Sequence, residues 1–506
     1  MDDPAERETS CFCEKHEVSQ VAGTGLDPAV LQSCLDTLAA VQRLPPDHPD
    51  AVAVRRATGA LFKAVKQQRR ADRRDAVASA DRAVLQSTAT AAPGRIDDET
   101  RGIPLLATAA GATAGTLIRA RPCYVCKALY TEVDAFYHQL CPACAADHHR
   151  RREARTDLTG RRALLTGGRA KIGMYIALRL LRDGAHTTIT TRFPADAARR
   201  FASMSDSADW LHRLRIVGID LRDPAQVIAL ADAVSERGPL DILINNAAQT
   251  VRRSPDAYAL LAAAEASTPS LPVGTPMPEL LVLGQARATH PASLPVTLTD
   301  VPASASASLA VREVTALALT ARSADLARVA AGRAIDAGGL VPDEVAVNSW
   351  TQRVQEVDPI ELLEVQLCNM TAPFLLVSRL RAAMAASPAR RTYIVNVSAM
   401  EGQFGRGYKG PGHPHTNMAK AALNMLTRTS AQELLATDSI LMTSVDTGWI
   451  TDERPHTTKL RLAEEGFHAP LDLVDGAARV YDPIVRGEAG EDLHGVFLKD
   501  YAVCAW

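Results

Sequence analysis

The sequence lacks a strongly apolar run long enough for a membrane span, an excess of charge of either sign, and a stock of aromatic rings. A spanning helix takes about 20 strongly apolar residues. The one long uncharged stretch, residues 102–118 (GIPLLATAAGATAGTLI), is mostly Ala, Gly and Thr. It reads as a buried or loosely packed segment, and no membrane partner is expected. The formal net charge is −2, so nothing global points to nucleic acid or to an acidic partner surface. Aromatic content is 4% against 47% hydrophobic residues, the balance of an ordinary soluble protein. The opening MDDPAERETS is acidic and polar, unlike a secretory leader. Without a leader, the nine cysteines read as metal ligands or reduced thiols and not as a disulfide frame. A cytoplasmic protein is the expectation. At 506 residues, the chain has room for two or three domains with substantial cores.

Residues 1–100 read as a helical region. Leu26–Leu44 and Ala51–Gln68 carry apolar residues at three- and four-residue spacing, broken by Pro45-Pro46. The basic run Lys66–Arg74 (KQQRRADRR) reads as the wet face of a helix. Cys11, Cys13 and His16 are a weak metal signal.

The strongest local motif follows, within a small module over residues 101–157. Cys123-x2-Cys126 is separated by 14 residues from Cys141-x2-Cys144. Two such pairs match a four-thiolate zinc site. Four thiolates fill a tetrahedral ion and leave no position for substrate water, so Zn²⁺ here is expected to be structural. Its binding energy would help fold a segment too small for its own core. The pattern resembles a zinc ribbon or rubredoxin-like knuckle pair. Ribbons of that class also touch nucleic acid or protein, and His148-His149-Arg150-Arg151-Arg152 is adjacent; fold support is the favoured role.

From Arg161 onward, strands and helices alternate, an α/β pattern that extends over residues 158–506. A short apolar run, Ala163-Leu164-Leu165, stops at Thr166-Gly167-Gly168, and Ile172-Gly173 opens a segment of helical periodicity. Strand, glycine turn and helix form the opening unit of a dinucleotide-binding fold. There a helix N-terminus offers free N–H groups to a pyrophosphate, and absent Cβ atoms permit close approach. His186–Thr191 reads as the second strand, followed at once by Arg192. An acid at this place would bind ribose hydroxyls, whereas an Arg pairs with a 2′-phosphate. The third strand ends in Asp220-Leu221. The fourth ends in Asn245-Asn246-Ala247-Ala248, small enough to let a cofactor lie across the strand ends.

TGGRAKIG, Asp220-Leu221 and NNAA, in this order and spacing, resemble the short-chain dehydrogenase/reductase superfamily, with its Rossmann-type doubly wound parallel sheet. The resemblance covers about residues 158–506, apart from an insertion over about 251–345. It implies NADP(H) held by Thr166, Gly167, Arg169, Lys171, Ile172, Gly173, Arg192, Asp220, Leu221, Asn246, Ala247 and Ala248. Lys420 would also hold it, as would Thr447 and Gly448 in the loop that closes on the nicotinamide. It further implies Asn369 as the family's helix asparagine, Ser398 as the catalytic serine and Lys420 as the active-site lysine. Family members usually pair, so a homodimer or tetramer is expected, with a small-molecule substrate.

Three departures accompany the likeness. The family's tyrosine, four residues before the lysine, is Thr416, whose hydroxyl is too weak an acid to replace a phenol. The middle fingerprint glycine is Lys171, and the proline of the loop after the sixth strand is Thr447. Tyr408, His413 and His415 are the nearby substitutes for the missing acid, and Glu401 and Asp446 add carboxylates to the same neighbourhood. In the insertion, Pro/Ser/Ala-rich pieces read as loops and residues 308–337 as helix, either a lid or a peripheral loop.

The expectation is therefore an NADP(H)-dependent oxidoreductase acting on a carbonyl or hydroxyl group of a small molecule, with altered acid/base chemistry. The alternative is an inactive NADP-binding regulatory or scaffold protein that uses the zinc module for partners. A third reading keeps fold and cofactor but changes the reaction, for instance to an epimerisation or elimination.

Overall fold

The computed structural model describes residues 25–93, 95, 111–253, 256–266, 278–283, 340, 345–405, 407, 409–451 and 453–506. Tyr408, the Cys11/Cys13/His16 set and the helix expected over 308–337 lie outside these. The chain divides into two compact units, Met1–Ser79 and Ala80–Trp506.

In the first unit, α1 (Pro28–Val41) starts on Pro at its first turn and on Asp27, whose Oδ1 accepts the Ala29 N–H at 2.8 Å. Both features favour a helix start. Next, α2 (Pro49–Gln86) runs well past the expected end at Gln68. Its basic run is exposed, as a solvated face requires.

The second unit begins with the last turns of α2. Asp81 there accepts the N–H groups of Ile118 and Arg119 in β1 (Thr113–Pro122). Thus the uncharged stretch 102–118 ends in a strand. β1 pairs antiparallel with β2 (Leu129–Asp134), and α3 (Pro142–Arg152) follows.

The main sheet is built from β3 (Arg162–Leu165), β4 (His186–Thr191), β5 (Leu214–Gly218), β6 (Ile242–Asn245), β7 (Glu279–Val282), β8 (Thr392–Ser398), β9 (Ile440–Asp446), β10 (Phe497–Lys499) and β11 (Ala502–Cys504). Its order is β11-β10-β9-β8-β6-β3-β4-β5-β7. Every pairing is parallel except β10 with β11. Parallel strands covered on both faces must be apolar or β-branched throughout. Accordingly Ile242-Leu243-Ile244 is fully buried and β4 is four-sixths threonine (HTTITT).

Helices cover both faces. On one side α4 (Lys171–Arg182) packs against α13 (Leu473–Glu488), with α5 (Pro194–Ala202) and α6 (Ser207–Trp210) nearby. Ile176, Ala177, Leu180 and Leu181 of α4 are wholly buried in this core, the face expected from the sequence periodicity. On the other side lie α7 (Pro224–Ser235), α10 (Ala372–Ala385) and α11 (Pro414–Asp438). α8 (Ala259–Ala266) packs on α5. α9 (Pro359–Gln366) leads into α10 through a π-helical turn, Leu367–Thr371. The run Pro359–Ala385 is long and apolar enough to cross a membrane, but 56% of its apolar 18-residue window is buried inside this fold. Finally, α12 (His456–Glu464) lies between β9 and α13.

From β3 the chain winds outward through β4 and β5, then returns to the other side of β3 at β6. That reversal is the topological switch point where open parallel sheets bind ligands.

Candidate functional site

At the switch point a cavity of about 630 Å³ opens over the strand ends. The turn between β3 and α4 forms its floor. Thr166 Oγ1 accepts the N–H groups of Asn246 and Ala247, each at 3.0 Å, and Asn246 Nδ2 donates to the carbonyls of Thr166 and Gly167. These bonds fasten the turn to the end of β6. Gly167 is left-handed at φ 71, and a Cβ on Gly173 would sit 2.0 Å from the Gly167 carbonyl oxygen. Only glycine fits at 173, and the cradle left open by the missing side chains suits a phosphate.

Of the expected cofactor residues, Gly167, Arg169, Lys171, Ile172, Gly173, Arg192, Asp220, Leu221, Asn246, Ala247 and Ala248 all line this cavity. Thr166 is buried beneath it. Lys171 keeps the left-handed backbone of the glycine it replaces, φ 53. Arg192 donates to Tyr258 Oη at 3.1 Å, its guanidinium 4.9 Å from that ring's centroid, while its side chain stays exposed. Phe193 stacks on the same Tyr258 ring, centroids 5.8 Å apart. Asp220 is bound by the Arg222 guanidinium at 2.6 Å, which also reaches Glu364 at 2.9 Å.

Sequence reasoning missed Arg222, Gln249, Arg252, Arg253, Tyr258 and Glu453, all of which line the cavity. The Arg252-Arg253 pair, separated by three residues from the NNAA tetrad, was a readable signal; Tyr258 and Glu453 carried none.

The expected acid/base residues lie elsewhere. Asn369, on the π-helical turn, donates to the Gln249 carbonyl at 2.9 Å and accepts the Gln249 N–H at 2.7 Å. It pins the cavity wall. Ser398, His415, Thr416 and Lys420 are all buried and are not among the cavity-lining residues, nor are Thr447 and Gly448. The Lys420 ammonium donates to the Val397 carbonyl at 2.8 Å, and burial pushes its pKa down to about 8. Its charge acts on Cys368, a cavity-lining thiol that burial and Asp220 push up to about 11 while Arg222, Arg192 and Lys420 draw it back. Ser398 Oγ, Thr416 Oγ1 and both ring nitrogens of His415 have no hydrogen-bond partner among the described residues. Burial lowers the His415 pKa from its ordinary value. His413 serves the fold: it stacks on Trp350 at 4.0 Å and starts α11 in the left-handed conformation. Asp446 pairs in register with Ser398. Burial, with Asp500 and Glu401 nearby, pushes its carboxyl up to about 6 against the opposing Gly448 N–H.

The second site is the cysteine knuckle. Cys123 and Cys126 follow β1, and Cys141 and Cys144 open α3; the four sulfurs lie within 4.8 Å of one another. Tetrahedral zinc with bonds of about 2.3 Å sets sulfurs about 3.8 Å apart, and Cys126 and Cys141 are 3.6 Å apart. The donor set therefore fits a metal. The adjacent basic segment is spent inside the fold: Arg152 pairs with Asp472 at 2.6 Å and with Asp475 at 2.9 Å, Arg151 with Asp482 at 2.6 Å, and His149 with Asp134 at 3.2 Å.

A parallel sheet with a glycine turn at its switch point defines a Rossmann-type domain. The short chain dehydrogenase family pattern matches residues 161–264. A protein of Acanthamoeba polyphaga mimivirus is 30% identical over 377 residues, covering 72% of this chain and 71% of that one. A probable oxidoreductase of Streptomyces antibioticus is 42% identical over 91 residues, covering 18% of this chain and 30% of its own length. The chain thus spans about a third of that oxidoreductase. A solved short chain dehydrogenase of Burkholderia cenocepacia, in complex with NADP, is 18% identical with a TM-score of 0.41, covering 68% of this chain and 97% of that one. The likeness to short chain dehydrogenases thus rests on the family pattern over residues 161–264.

Proposed function

We propose that this chain is an NADP(H)-dependent oxidoreductase that acts on a carbonyl or hydroxyl group of a small molecule, with an acid/base arrangement of its own. The observation that carries the cofactor is Arg192, which follows β4 and lies at the cavity with its side chain exposed. A guanidinium there favours a 2′-phosphate through charge-assisted bonds. Arg169, Lys171, Arg222, Arg252 and Arg253 line the same cavity; the arginines are paired with Asp196, Asp220, Glu364 and Glu453, and the phosphates of a ligand would share them.

When bound, the nicotinamide supplies a hydride. The chain's own residues do the rest. The glycine turn and the first turn of α4 hold the pyrophosphate, and Asn369 fixes the wall formed by Gln249. Thr416 cannot supply a proton. His415, its pKa lowered, is neutral near pH 7 and has no readily released proton. Lys420, with its pKa near 8, is matched to give one up close to neutrality. We assign it the part of proton source, its proton passed on to the cavity by an intervening group because Lys420 itself does not line it. A structural zinc on the four thiolates would stabilise the module and supply no chemistry to the reaction.

Substituting Arg192 with Ala tests the cofactor assignment. NADPH affinity should fall about 10- to 100-fold, the worth of lost charge-assisted bonds, while NADH affinity stays unchanged. Equal losses for both cofactors would contradict it.

A further inference from the structure

The cysteine knuckle and the cavity share a wall. Tyr124 lies between Cys123 and Cys126, and its Oη accepts the Trp449 N–H at 3.0 Å. Trp449 belongs to the loop after β9, whose next residues, Ile450 and Thr451, line the cavity. The core around the knuckle runs from Leu117, Phe136 and Tyr137 through to Ile450 and Leu471, with Tyr124 and Ile172 packed against it. Ile172 and Ile450 therefore face the knuckle's core on one side and the cavity on the other.

The loop is closely packed at a second point. Gly448 has φ 77, and a Cβ there would meet Leu471 Cδ1 at 2.6 Å and Arg479 Nε at 3.3 Å. Arg479 in turn reaches His148 Nε2, on the helix that Cys141 and Cys144 open, at 2.7 Å. Trp449 is thus hydrogen-bonded to the cysteine module, and Gly448 lies close against a residue tied to it.

The loop's place in the sheet says which part of a ligand it meets. Arg192 follows β4 and Trp449 follows β9, four strand steps apart in the sheet, or about 19 Å at about 4.8 Å per step. A dinucleotide whose 2′-phosphate meets Arg192 therefore presents its far half to this loop.

We infer that Tyr124 is a positioning residue for the nicotinamide half of the cofactor, so that the metal knuckle sets the loop and, with it, cofactor affinity. This rests on the reading of the cavity as an NADP(H) site. Because coupling between two sites is reciprocal, a bound dinucleotide must also hold the metal more firmly.

The test uses full-length, zinc-loaded protein with two probes: NADPH, and adenosine 2′,5′-bisphosphate, which carries only the adenosine half. Tyr124→Phe keeps the ring and removes the acceptor. It should bind NADPH about tenfold more weakly, the cost of stranding one backbone N–H, and bind the bisphosphate as the wild type does, with unchanged zinc content. Equal affinity for NADPH in variant and wild type would overturn the inference, as would equal losses for both probes. In the wild type, NADPH should slow zinc release to a chelator several-fold and the bisphosphate should not; an unchanged release rate also overturns it. A wild type that binds neither probe would instead refute the cavity reading itself.

Discussion

Thr416 and Lys420 stand one helical turn apart, and exchanging a phenol for a threonine at the first position shifts the proton problem to the second. Burial favours the neutral amine of Lys420, which brings its pKa down to about 8. Reduction needs the protonated donor, so kcat in the reducing direction should be high below pH 8 and fall as pH rises through that value. Lys420→Met should abolish turnover and leave no such limb. A rate flat from pH 6 to pH 9 in the wild type would rule Lys420 out. Lys171 poses a different trade. Its left-handed φ costs about 1–2 kcal/mol relative to glycine, yet glycine loses about 0.4–1 kcal/mol through the unfolded chain. Lys171→Gly should therefore leave stability within about 1 kcal/mol, while losing an ammonium from the phosphate cradle and about three- to tenfold in NADPH affinity. Thermal unfolding and titration together check this; unchanged or tighter NADPH binding would mean the ammonium does not meet a phosphate.

Among the elements, those legible in the sequence were the ones specified by local chemistry. Strand β4 was read to the residue, because six consecutive residues of HTTITT have nowhere to go but a covered sheet, and Gly184 marks its start. The cysteine pairs were legible for the same reason, since spacing alone brings two thiolates to each turn. What escaped was decided by distant contacts. α2 extends past Gln68 because Asp81 and Val84 meet β1, and nothing in the helix's own periodicity records that. β7 and β11 add edges to the sheet that no local pattern announced. The knuckle makes an element-scale prediction. Its core, from Leu117 to Leu471, reaches into the main domain, so metal removal should loosen a joint and not merely unfold a satellite. Chelation should lower Tm by about 5–10 °C, with four thiols becoming reactive together. No change in Tm on complete metal loss would refute a structural role.

For the whole molecule, the switch-point cavity was far more legible than the surroundings of Ser398 and Lys420. Glycine turns, an arginine after β4 and small residues after β6 act through backbone geometry that sequence order dictates, and eleven of the residues so named line one cavity. The environment of Ser398, His415 and Lys420 depends instead on how residues 345–358 and the loop after β8 cover the start of α11. Trp350 stacking on His413 across 63 residues is an example no local reading supplies. The contact of Tyr124 with Trp449 spans 325 residues and was equally invisible. Both kinds of feature meet in one claim, that the cavity at the switch point is an NADP(H) site. It is tested most directly by titrating zinc-replete protein with NADPH and with NADH, following nicotinamide fluorescence. Saturable binding of NADPH at least about tenfold tighter than of NADH is the predicted result. Binding of neither, or a preference for NADH, would contradict it.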